Sequence, residues 1–231
     1  MSDLLGRLEE AVEHYNLLRH PFYEKWSEGT LTLEELQIYA KQYFHFTREI
    51  PTYVSRVHSN CPDPALRISI LSNLVDEETG GEGMVPHEEL WVWFGEGIGL
   101  KKSDLYQDEP AATTLNTLDT YRRLCSSSNC AIGAAALYAY ESRIPAVAET
   151  KLAGLKRFYQ IDNENTLRFF REHMAVDIEH SKTWQEVLAK IVETEEQKES
   201  VIDACSTAAQ SLWGMLDGVL ALCKTDFSCR S

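Results

Sequence analysis

Hydrophobic residues recur at intervals of three and four along nearly the whole chain, and runs alternating apolar with polar residues are almost absent. A repeat near 3.6 builds helix faces, whereas a sheet needs a repeat of two. The pattern excludes sheet architectures. It predicts an all-α, single-domain bundle of about seven to nine helices.

Local signals place those helices. The first covers Leu4–Leu18, with Leu4, Leu8, Val12 and Tyr15 on one face. A short one spans His20–Trp26 and ends at Gly29. Thr32 and Glu35 form a capping box that opens a long helix carrying Leu36, Tyr39, Tyr43 and Phe46, which Pro51 should kink or split. Asp63 caps the next helix, with Pro64 in its first turn, and this helix runs through Leu66, Ile70 and Leu74 to the acidic run Asp76–Glu78. The segment TGGEGMVP is a turn that no helix tolerates, and His87 begins the helix after it. Further helices are expected over Ala111–Cys125, Ala131–Arg157, Glu164–Val192 and Glu195–Leu222. Pro145 should disturb the second of these, Thr194 and Gln197 form another capping box, and KTDFSCRS is expected to fray. No repeat or linker divides the chain, so one domain should span residues 1–231.

Charge and composition narrow the partners. Lys and Arg total 22 against 36 Asp and Glu, a net charge of −14, which disfavours nucleic acid and anionic membrane. No apolar run approaches the roughly 20 residues of a membrane span, and the N-terminus lacks a signal-peptide pattern. The six cysteines include no CxxC pair, and free thiols in a reducing cytoplasm are the simplest reading. A homodimer is left open, and no electron donor is identified.

The chemistry centres on FFREHMAVDIEHSK, Phe169–Lys182. Around a helix axis Asp177 lies roughly 40° and His180 roughly 20° from His173, so all three project from one stripe. Two imidazoles and a carboxylate on one stripe are half of a metal site; the alternative is a polar, solvated helix face. Glu141 follows the apolar run AAALYAY and shares a face with Leu137 and Ala134, where an uncompensated carboxylate would be costly. A salt bridge to Arg143 is the other reading. The third place is Asp76-Glu77-Glu78, followed by His87 across the glycine turn, which also reads as an ordinary acidic helix end. Together these residues supply carboxylates and imidazoles from several helices, a donor set that suits iron or manganese, and in this number a dinuclear pair. Zinc would more often take fewer ligands, and no cysteine lies close in sequence to these positions.

Four stretches resemble a known family: HPFYEKWSEGTLT (His20–Thr32), NLVDEE with H..LW (Asn73–Trp91), ALYAYESRIP (Ala136–Pro145) and EHMAVDIEH (Glu172–His180). They are similar to the haem-oxygenase-like group that includes the thiaminase II and pyrroloquinoline-quinone synthase C proteins. Within it they resemble the metal-containing branch of the chlamydial proteins associating with death domains. The similarity runs from roughly Leu5 to Leu222. It implies a dinuclear iron (Fe/Fe) or manganese–iron (Mn/Fe) oxygenase that uses dioxygen and an external reductant to make para-aminobenzoate for folate synthesis. It further implies that the ring comes from the protein's own tyrosine. Carried onto this sequence, the metal ligands are Glu77, His87, Glu141, His173, Asp177 and His180. The sacrificed tyrosine is Tyr23, the amine donor Lys151, Tyr140 beside a ligand is a candidate radical relay, and Tyr39 is a second tyrosine of interest. TGGEGMVPH is a few residues longer than the branch's pattern, which leaves Glu77 and Glu78 as alternatives. From residues alone, Tyr23 also reads as a core aromatic and Lys151 as a surface lysine. Rival readings are an oxygenase for an external small molecule and a non-catalytic helical interaction protein. A thiaminase II-like enzyme is disfavoured because no cysteine occurs between Ala131 and Pro145.

Overall fold

About half of the helix starts coincide with residues whose side chains satisfy free backbone N–H groups in the computed structural model, which describes residues 2–80 and 85–228. Among them are twelve α-helices and one 3-10 turn, with no strand. Asn16, Thr32, Asp63, Asn129 and Asn163 each accept backbone N–H groups at a helix start, a contribution of about 1 kcal/mol apiece. The Thr32–Glu35 capping box is complete in both directions. His20 also serves as a cap, its Nδ1 accepting from Phe22 N at 3.0 Å.

The count exceeds the seven to nine read from periodicity because three stretches are divided or added. α1 (Ser2–His14) stops short of Leu18, and Asn16 opens the 3-10 turn Leu17–Arg19 instead. α2 is Pro21–Glu28, and α3 (Leu33–Thr47) is separated from α4 (Ile50–Asn60) immediately before Pro51. α5 is Pro64–Thr79, α6 is His87–Gly97, and α7, Lys102–Tyr106, is a short helix that periodicity does not reveal. α8 (Ala112–Cys125) and α9 (Cys130–Glu141) follow, and α9 is cut from α10 (Ile144–Tyr159) just ahead of Pro145. Both prolines sit in the first turn of the new helix, where a missing N–H costs nothing. α11 is Glu164–Ile191 and α12 is Glu195–Ser228, several residues beyond Leu222. Half of the predicted glycine turn, residues 81–84, and the last three residues of the predicted frayed tail lie outside the described residues.

α12 packs along α8 and α9, while α11 packs on α10, α9 and α6. The buried apolar residues form one continuous cluster. Its middle is a contiguous aromatic assembly in which Tyr39, Tyr43, Phe94, Phe169 and Phe170 all touch Trp91. No helix among the described residues is long and apolar enough to cross a membrane.

One turn depends on glycine. Gly29 ends α2 with φ +70°, and a Cβ there would lie 2.2 Å from Phe158 Cγ. Gly29→Ala combines left-handed strain with overpacking, and should lose about 2–4 kcal/mol. A lowered denaturant midpoint at unchanged slope would report it; a midpoint equal to the parent's would mean that the Phe158 ring moves aside freely.

Candidate metal centre

α9 is apolar on every side, so the carboxylate at its last residue has no route to solvent, and Glu141 is 1% exposed. Arg143 does not relieve it, pairing instead with Glu9 at 2.6 Å. Three other elements bring polar groups to the same place. α5 continues past Asp76, so Leu66, Ile70, Asn73 and Glu77 form its buried face. Glu77 points inward and Glu78 is exposed. α6 contributes His87 from its first residue. From α11 come His173, Asp177 and His180, each 3% exposed or less.

The groups meet in two overlapping sets, Glu77 with His87 and His173, and Glu77 with Asp177 and His180. Within each set one donor atom per residue lies within 4.8 Å of the others. Glu77 is common to both and faces two ways: Oε2 is 2.9 Å from His87 Nδ1, and Oε1 is 3.6 Å from His180 Nδ1. His180 Nδ1 also lies 3.7 Å from Asp177 Oδ1 and 4.0 Å from Glu141 Oε2.

Outer contacts fix the imidazoles. His173 Nδ1 is 2.7 Å from the Phe169 carbonyl, which can only accept, so Nδ1 carries the proton and Nε2 keeps a lone pair. The His173 ring stacks on Phe169 at 3.9 Å. His180 Nε2 lies 3.4 Å from Asp76 Oδ2, so Nδ1 faces the inner carboxylates. Trp184 Nε1 donates to Glu141 Oε2. Asp76 enters the sequence reading only as part of the acidic run Asp76–Glu78, and Trp184 is absent from it, because nothing in the local pattern of either marks contact with a ligand.

The electrostatics of this cluster are unbalanced. Burial pushes the Asp177 carboxyl well above its usual range, and Glu141 and Glu77 push it further. Burial likewise raises Glu141, with Glu77 adding to it. Burial acts upward on Glu77 too, but His87, His180 and His173 outweigh it and hold that carboxyl at about 2. His87 is resisted by burial yet raised by Glu77, whereas burial depresses His180 and takes His173 down to about 3. Both Asp177 oxygens, Glu141 Oε1 and His180 Nδ1 are buried without a hydrogen-bond partner. Orphaned acceptors with lone pairs facing one another are expensive, and a cation among them satisfies all of them. The residues therefore fit a metal site of carboxylate and imidazole donors.

Beside the cluster lies a second polar assembly. Lys151 Nζ is 2.6 Å from Tyr39 Oη, which is 3.0 Å from Tyr23 Oη. Lys151 is 2% exposed, so the surface alternative fails, and its amine sits within 5.7 Å of the ring centres of Tyr23, Tyr39, Tyr43, Trp91 and Phe170. Burial holds its pKa well below 10.5, with no carboxylate among the causes. Tyr140 is not part of this chain; its hydroxyl meets that of Tyr43 at 2.7 Å.

Comparison with known proteins agrees with this arrangement. Residues 37–213 match the family model described as iron-containing redox enzyme. The chain is 35% identical over 218 residues to the 4-aminobenzoate synthase of Chlamydia muridarum, covering 94% of this chain and 90% of that protein. It is 36% identical over 222 residues to the enzyme of the same name from Nitrosomonas europaea, covering 92% and 89%. A domain from Shewanella denitrificans with a haem-oxygenase-like fold superposes with TM-score 0.79 at 18% identity, covering 98% of this chain and 94% of its own. This chain belongs to the iron-containing redox enzymes and has their haem-oxygenase-like, all-α fold.

Proposed function

We propose that this protein makes 4-aminobenzoate for folate synthesis by oxidising its own Tyr23, with Lys151 supplying the nitrogen. The observation that carries the reading is the chain Lys151 Nζ–Tyr39 Oη–Tyr23 Oη, buried beside a carboxylate–imidazole cluster in an iron-containing redox family. The 4-aminobenzoate synthases that share about a third of its residues across nearly its full length support the product.

In this reading Glu77, His87, Glu141, His173, Asp177 and His180 hold two metal ions, Fe/Fe or Mn/Fe. Such a pair supplies reduction of dioxygen with electrons from an external reductant. The chain's own residues do the rest. Phe169 and Trp91, packed between His173 and the tyrosines, exclude water and hold the rings in contact. Tyr39 orients the Tyr23 hydroxyl, and burial raises both phenols so that they stay protonated until oxidised. Burial among rings favours the unprotonated Lys151 amine, the form that nucleophilic nitrogen delivery requires. Tyr23 is consumed, so each chain acts at most once.

Tyr23→Phe should retain bound metal and yield no 4-aminobenzoate. In the parent, given only metal, reductant and oxygen, the peptide containing Tyr23 should lose the mass of the ring portion. Product from Tyr23→Phe would end the self-sacrifice reading, and product only after adding a small molecule would favour an external substrate.

A further inference from the structure

Two hydroxyl pairs lie end to end in the aromatic core. Tyr140 Oη and Tyr43 Oη are 2.7 Å apart, and Tyr39 Oη and Tyr23 Oη are 3.0 Å apart. Tyr39 and Tyr43 stand one turn apart on α3, with ring centres 5.3 Å apart and planes inclined by 32°. Among the described residues no hydrogen bond links the hydroxyl of one pair to that of the other. A proton can therefore cross within either pair but not between them, whereas an electron needs only the ring contact. The basic atom at the gap, among the described residues, is Lys151 Nζ, 2.6 Å from Tyr39 Oη and 4.9 Å from the centre of the Tyr43 ring.

We infer that Tyr43 is the electron junction between Tyr140 and the Tyr39–Tyr23 pair, and that Lys151 takes the proton that cannot follow. This rests on the reading above, with dioxygen as the terminal oxidant. Once Tyr140 has lost one electron and its hydroxyl proton, Tyr43 passes it a hydrogen atom across their contact, which restores Tyr140 and leaves Tyr43 a neutral radical. Tyr39 then gives one electron to Tyr43 through the rings and its hydroxyl proton to Lys151 Nζ. The products are a Tyr43 phenolate, a Lys151 ammonium and a Tyr39 neutral radical. The phenolate accepts the Tyr140 O–H, and the ammonium over the Tyr43 ring offsets its charge. A hydrogen atom from Tyr23 restores Tyr39, and the hole reaches Tyr23. Each transfer conserves atoms and electrons. Lys151 thus has a task before any bond to nitrogen forms, since without a base the electron step at the gap would leave Tyr39 a radical cation; return of that proton to the Tyr43 phenolate then restores the lone pair of the amine.

The test places 3-aminotyrosine, which keeps the phenol and is more easily oxidised, at Tyr43. The reduced, metal-loaded protein is mixed with oxygen, frozen, and examined by EPR and by peptide mass at Tyr23. The expected result is a trapped aminotyrosyl signal and loss of Tyr23 slowed by about 100-fold or more, because the aminotyrosyl radical is a weaker oxidant than a tyrosyl and each tenfold is about 1.4 kcal/mol of barrier. Tyr43→Phe, checked for unchanged melting and metal content, should instead stall the hole as a tyrosyl signal that disappears in the Tyr43→Phe/Tyr140→Phe double variant. Consumption of Tyr23 at the parental rate with no trapped signal would overturn the junction. A trapped signal at position 43 while the parent's Tyr23 stays intact would uphold the junction and overturn Tyr23 as the ring source.

Discussion

Glu77→Ala should strip metal from both halves of the centre, whereas removing a ligand that serves one half should spare the other. Glu77 is the residue common to the two donor sets, and its two oxygens face His87 on one side and His180 on the other. Without it one half retains two imidazoles and no carboxylate. The other half retains His180 with Asp177, whose protonated form burial favours. Metal measured on purified protein expressed with iron and manganese should fall from near two per chain to well below one, with affinity down by at least about 100-fold, the upper range for losing even an outer contact of a ligand. His173→Ala, which touches only the first set, should leave about one. Glu78→Ala is the control, because Glu78 is exposed and should change nothing. Undiminished metal in Glu77→Ala, or a loss in Glu78→Ala that matches it, would show that the turn after α5 presents the wrong carboxylate. Thermal melting gives an independent readout. A metal present at about 1,000 times its dissociation constant stabilises by about 4 kcal/mol, so chelation should lower the melting point of the parent and leave Glu77→Ala almost unmoved.

The sequence makes the helical class and the His173–Asp177–His180 stripe legible because both are local. A repeat of 3.6 fixes which side chains share a face, whatever the face meets. The breaks at Pro51 and Pro145 are legible for the same reason, since a proline's missing N–H acts on its own turn. The choice between Glu77 and Glu78 is not local. Both precede a glycine turn, and only the continuation of α5 to Thr79, with Leu66, Ile70 and Asn73 inward, rotates Glu77 into the core. The role of Tyr43 is hidden in another way. Periodicity puts it on the buried face with Tyr39, but its hydroxyl partner lies 97 residues away on α9. Lys151 is the clearest case. Spacing favours a surface position, and only the packing of α10 beside α2 and α11 places the amine among aromatic rings. The residues that resemblance supplied and spacing alone did not, Tyr23 and Lys151, meet their partners through tertiary contacts.

Lys151→Met should abolish 4-aminobenzoate and at the same time make the protein more stable. The two effects have one origin. An amine enclosed by Tyr23, Tyr39, Tyr43, Trp91 and Phe170 has lost its water, and no carboxylate repays the loss. Its folded-state pKa is depressed, so between that value and the ordinary 10.5 the unfolded chain binds a proton that the folded chain does not. Stability from this group is complete above 10.5 and is lost as pH falls through the folded value, which means that the native lysine weakens the fold at neutral pH. Methionine fills a similar volume with no charge to desolvate and suits contact with rings. Tyr39 keeps its hydrogen bond to Tyr23, and the Trp26 bond to the Lys151 backbone carbonyl survives any side chain. A gain of at least about 1 kcal/mol, or a melting point higher by roughly 2–4 °C, is expected at pH 7. The advantage should shrink as pH rises toward 10.5, because the unfolded lysine then gives up its proton too. Melting curves of parent and variant across that range, alongside product assays, read both effects. Product from Lys151→Met would assign the nitrogen to another donor, and a loss of stability at pH 7 would mean that the amine is charged and paired in the fold. Lost chemistry paired with gained stability would mark a residue held in an unfavourable place for what its amine does there.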